Sequence, residues 1–132
     1  MKSILLQTDQ AECYDEFGKF ISCYDAGQDA SYQSGIPWPQ PRFKKNYDTV
    51  TDTLTDLMWT KNANLLEFPL SFDEALNAIQ KMNASQMYGF SDWRLPNRHE
   101  LFSLISHANI NPALPLANPF YNVFSGYYWT AT

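Results

Sequence analysis

Cationic excess is missing from this sequence: nine Lys and Arg stand against fourteen Asp and Glu, a formal charge of −5 over 132 residues. Without a basic surface there are no counterions to release from a phosphate backbone, which argues against nucleic acid as a partner. Long apolar runs are missing too. A bilayer span needs about 20 consecutive apolar residues, and Ile4-Leu5-Leu6 is too short even for the core of a signal peptide. No membrane insertion is expected, and the chain is either cytoplasmic or a mature form whose export signal has been removed. Cysteine is limited to Cys13 and Cys23, with no CxxC metal spacing. The two histidines, His99 and His107, lie about 12 Å apart along a helix and cannot share a metal through it. His99 at a helix start is expected to face solvent, and His107 to complement a helix C-terminus. There is no P-loop and no GxGxxG. Ser91 sits in GFSDW, where Trp93 replaces the glycine a nucleophile elbow requires. Fourteen acids allow many carboxylate pairs, and nothing distinguishes one of them as an acid/base site. No cofactor is implied.

What is present is apolar and rich in rings: 45% hydrophobic residues, with nine Phe, eight Tyr and four Trp. That composition excludes disorder, and a chain of this length buries about two-thirds of its unfolded surface on folding. AECYDEFGKFISCY (11–24) places the cysteines five positions on either side of Gly18, which predicts a hairpin with Gly18 in the turn and Cys13 facing Cys23. Spacing alone leaves two readings open, a bridge across the hairpin or two buried thiols. Residues 25–46 read as loop, with Pro37, Pro39 and Pro41 interleaved with Trp38 in an extended run that docks the indole. TVTDTLTDLMWTK (49–61) predicts strands at Thr49–Thr51 and Leu57–Thr60 joined by an Asp/Thr turn. Asp48, Asp52 and Asp56 lack the Gly and Glu of a calcium loop and read as turn formers.

Ser71-Phe72-Asp73-Glu74 is a capping box and predicts a helix over 72–83 that buries Phe72, Ala75, Leu76, Ala78, Ile79 and Met82. Asn97 with Glu100 caps a second helix running to about Ser106, with Leu101, Leu104 and Ile105 inward. Residues 107–126 form a long loop with three prolines and four asparagines, and GYYWTAT closes the chain as a strand with Tyr128 on the opposite face from Tyr127 and Trp129. Trp59 and Trp93 are expected in the core. Asn83-Ala84-Ser85 matches a glycosylation sequon, a short motif that arises often by chance. The order hairpin, hairpin, helix, helix, loop, strand indicates an α+β fold with an antiparallel sheet.

TVTDTLTDLMWTKNAN (49–64), SFDEALNAI (71–79), YGFSDWRLPNRHEL (88–101), NPALP (111–115) and YYWTAT (127–132) together resemble the bacterial Lcl C-terminal domain family, named for a collagen-like adhesin. CYDEFGKFISC (13–23), GQD (27–29) and IPWPQPRF (36–43) resemble the segment that often precedes that domain, which divides the chain at 1–45 and 46–132. The resemblance implies a C-type lectin-like fold, two helices on a small antiparallel sheet. It also implies an extracytoplasmic, non-enzymatic binding or adhesion module, and export in turn favours the Cys13–Cys23 disulfide. DWRLPN is also similar to a segment of formylglycine-generating enzymes, but such an enzyme relies on cysteines near the end of its domain and none follows Cys23. The family usually continues past YYWTAT with further strands. The expectation is therefore a fragment or shortened chain whose open sheet edge a partner or second copy could cover.

In that fold the loop after the second helix builds the ligand surface. Asn109, Asn111, Asn118, Tyr121 and Asn122 are the residues expected to bind, amides pairing with sugar hydroxyls and the phenol stacking on a sugar face. The competing reading gives these asparagines only turn-capping roles beside the prolines. A structural module contacting other domains of a larger surface protein is the alternative function.

Overall fold

The computed structural model describes residues 5–67 and 69–132; Ile4 of the short apolar run lies outside them. The chain divides into two compact units, Met1–Arg42 with Leu104–Asn118, and Phe43–Ser103 with Pro119–Thr132.

In the first unit β1 (Cys13–Tyr14) and β2 (Phe20–Ile21) pair antiparallel, Cys13 opposite Ile21 and Tyr14 opposite Phe20. Gly18 N donates to Asp15 O at 3.0 Å and Asp15 N to Lys19 O at 2.9 Å, closing a three-residue loop. Gly18 holds its last position at φ +77°, a left-handed conformation that glycine adopts without strain. The turn is thus centred one residue before Gly18, and the expectation that Cys13 faces Cys23 is corrected: Cys13 faces Ile21. The disulfide is present and runs diagonally, Cys13 to Cys23, with Cα atoms 5.3 Å apart.

The stretch expected as loop contains one helical turn, α1 (Asp29–Tyr32), ended by Gln33 in the left-handed region. The proline run after it docks Trp38 as expected: its Nε1 donates to Gln7 O at 3.0 Å, and the buried Arg42 guanidinium stands 4.4 Å from the ring centroid. Gly35 permits the approach of this run to residues 5–7. Its φ is +116°, and a Cβ there would meet Leu5 O at 2.7 Å. Leu104 and Ser106 bring the chain back into this unit as buried residues. Ser106 Oγ donates to Asp9 Oδ2 at 2.6 Å and His107 N to Thr8 O at 2.9 Å. His107 therefore caps no helix, contrary to expectation.

The second unit is built on β3 (Phe43–Lys45), β4 (Thr49–Asp52) and β5 (Leu57–Thr60), antiparallel in that order. β3 was not expected; its pairing with β4 sets Phe43 opposite Asp52. The strands at β4 and β5 match the sequence reading, with Val50 opposite Trp59. Val50 and Asp52 are fully buried. Asp52 is a turn former, as read: its carboxylate accepts from Leu54 N and Thr55 Oγ1, both at 3.0 Å. Asp56 completes the turn with φ 58°.

Helix α2 (Phe72–Ala84) carries the expected capping box, Glu74 N to Ser71 Oγ and Ser71 N to Glu74 Oε2. Its buried line is narrower than expected. Ala75 and Met82 are buried, whereas Phe72 and Leu76 remain 40% exposed. Those two lie toward the flank of the stripe, where Phe72 instead meets the edge of Trp129 at 5.6 Å. At the helix end the Asn83 amide clamps Trp93 twice, accepting from Trp93 N at 2.7 Å and donating to Trp93 O at 2.8 Å. The sequon asparagine thus has a structural duty. Trp59 and Trp93 are both half-buried.

Helix α3 spans Arg98–Phe102 only, short of the expected Ser106. Ser103 N is shared between His99 O and Glu100 O, and Ser103 Oγ donates to Glu100 O at 2.6 Å. Those bonds satisfy the last carbonyls and end the helix. His99 is exposed, as expected. The closing YYWTAT is not a strand. Ala131 N donates to Pro96 O at 2.8 Å, and a proline has no N–H to return the bond and start a ladder. Among the described residues, three α-helices and two antiparallel sheets make an α+β fold.

Candidate functional site

The residues after Phe120 in the second unit are pinned by their backbone and open at their rings. Phe120 packs edge-on against Phe43 at 5.7 Å, which anchors the segment. Tyr121 N donates to Lys61 O at 3.2 Å and Tyr121 O accepts from Ala63 N at 2.9 Å, so the main chain is stitched to the end of β5. The Tyr121 side chain is left 53% exposed. Asn122, at φ 59°, points its Nδ2 to Asn62 Oδ1 and Asn64 O, both 3.3 Å away.

Further along, Tyr128 OH accepts from Phe124 N at 2.8 Å, and their rings lie 6.5 Å apart. A Cβ at Gly126 would come within 2.2 Å of the Phe124 ring, so a side chain there would require that ring to turn away. Trp129 Nε1 donates to Leu70 O at 2.6 Å. Tyr127 is fully exposed, and Phe124, Tyr128 and Trp129 are exposed as well. Two of the rings thus have their polar ends fixed in hydrogen bonds while much of their apolar surface meets water, a geometry suited to stacking. Near Tyr121, burial raises the Tyr88 phenol above its ordinary 10, with the Asp48 carboxylate and Tyr121 adding to the effect.

The five residues singled out from the sequence fall in different units. Tyr121 and Asn122 belong to the second; Asn109, Asn111 and Asn118 belong to the first. Asn109 Nδ2 donates to Ser106 Oγ at 2.9 Å and Asn118 Nδ2 to Pro115 O at 2.9 Å, so both amides hold turns of their own loop. Asn111 is exposed, with φ 49°. Phe124, Tyr127, Tyr128 and Trp129 lie outside the binding residues named from sequence, although the closing Tyr-Tyr-Trp run was expected to leave at least one ring exposed. A signal for them exists: from Leu101 to Thr132 there is no Asp, Glu, Lys or Arg. Among the described residues no three His, Cys, Asp or Glu side chains gather closely enough to hold a metal.

The family model described as the Lcl C-terminal domain matches residues 48–132. No curated protein and no solved structure matches the chain.

Proposed function

Since this chain belongs to the Lcl C-terminal domain family, which suggests a surface or adhesion-type module, we propose that it is a non-enzymatic binding module of an exported protein. It has a C-type lectin-like fold and recognises glycans through Tyr121, Asn122 and the rings of 124–129. The observation that carries this reading is the open ring surface on a backbone stitched to the end of β5, with the Trp129 indole tied to Leu70 O. A preformed aromatic face stacks on a sugar without ordering cost, and side-chain amides and hydroxyls supply the paired hydrogen bonds that sugar hydroxyls need. In the first unit, Asn109 and Asn118 hold the turns of the loop that carries the exposed Asn111. A glycan array read with and without calcium tests the proposal. Sugar-dependent signal that disappears in Tyr121→Ala, at unchanged melting temperature, is the expected result; no signal above background overturns it.

Export is supported by the Cys13–Cys23 bridge, since such bonds persist in oxidising compartments. Thiol titration of protein from its native cells, denatured without reductant, should find no reactive thiol; two would place the protein in a reducing compartment. A second reading, an interaction module of a larger surface protein, draws on the disulfide-closed hairpin. Phe17, Phe20 and Tyr24 stand exposed there, and rigid exposed rings are the usual anchors of protein interfaces. Self-association through the outer edge of β3 or β5 belongs to the same reading, and light scattering of a purified monomer would exclude it.

A further inference from the structure

Resting on the glycan-binding reading, we infer that the ligand of the 121–129 surface is an uncharged hexopyranose chain rather than a sulfated, uronate-bearing or cationic one. The chain is 17% charged, yet the 32 residues from Leu101 to Thr132 carry no charged side chain at all. An acidic ligand needs Arg or Lys at the contact and a cationic one needs a carboxylate, and the ring-bearing segment offers neither.

Several charged neighbours in the second unit have their charges engaged elsewhere. Lys61, whose carbonyl holds Tyr121 N, turns its ammonium to Tyr47 O at 3.5 Å. Arg94 is held in a fork by Glu100, with contacts of 2.7 and 2.6 Å. Glu74 closes the α2 capping box. The carboxylate of Asp48 acts on Tyr88, as Tyr121 does. Together with the net charge of −5, it repels anions at long range.

What remains are phenols, an indole, the Asn122 amide and the Ser125 hydroxyl. These groups complement a pyranose with one C–H-rich face and a rim of hydroxyls. Binding by such groups releases no counterions and is not screened by salt.

The test uses neutral hexose oligosaccharides beside sulfated and uronate-bearing counterparts of equal length, titrated by calorimetry at low and high salt. The neutral set should bind at least about 10-fold more tightly, with Kd changing less than about 2-fold between the two salt concentrations. Ser125→Lys should raise affinity for the sulfated set relative to the neutral set by about 5-fold or more. Preference of the native chain for sulfated or uronate ligands, lost at high salt, overturns the inference while keeping the glycan-binding reading. Binding of none of the three sets overturns both.

Discussion

At the scale of single residues, two side chains hold the DWRLPN segment, and each makes a measurable claim. Glu100 accepts the Arg94 fork and also receives Asn97 N at 2.8 Å, and these contacts hold its carboxyl down from the ordinary 4.5 to about 2. A depressed folded pKa contributes stability that is whole above the unfolded value and disappears as pH falls through the folded one. The contribution is therefore complete above about 4.5 and lost toward 2. Thermal melts across that window should flatten in Glu100→Gln relative to the native chain. Asn83 is the second case. Truncation to Ala strips partners from both Trp93 backbone groups and should lower unfolding free energy by about 2 kcal/mol in denaturant titrations. Asn83→Asp keeps an acceptor for Trp93 N but loses the donor, and should fall between.

The elements differ in how plainly the chain announces them. β5 and α2 were legible because their signals are local: period-two Thr and aromatics in one, a capping box and apolar stripe in the other. The end of α3 was not, because Ser103 stops it through its own hydroxyl while Leu104 and Ile105 continue a helical pattern. β3 was hidden behind Pro37, Pro39 and Pro41, and only its register against β4 reveals it. The Cys13–Cys23 hairpin combines both situations, with the pairing readable and the register shifted by the glycine's place in a three-residue loop. Closing so short a loop is worth about 3 kcal/mol in the chain-entropy model, which is the loss expected in urea unfolding when Cys13 and Cys23 are both changed to Ser. Gly35→Ala should be comparably harmful, because backbone atoms of Leu5 and Gln7 leave a methyl group no room.

For the molecule as a whole, the candidate site was half legible. Tyr121 and Asn122 stood out by residue type, whereas the wider ring surface is marked by missing charge, a pattern visible only across 32 positions. The membership of Leu104–Asn118 in the first unit rests on contacts such as Ser106 with Asp9, 97 positions apart, and no local periodicity encodes those. Removing residues 1–45 should therefore leave Leu104 and Ser106 without their burial, seen as faster proteolysis between 104 and 118 at native temperature. Heredity meets the same constraint. A lineage cannot trade the cysteine hairpin and its proline run as an interchangeable cassette, since fifteen residues from far downstream must change hands with them, and recombination at one crossover would deliver half of a partnership.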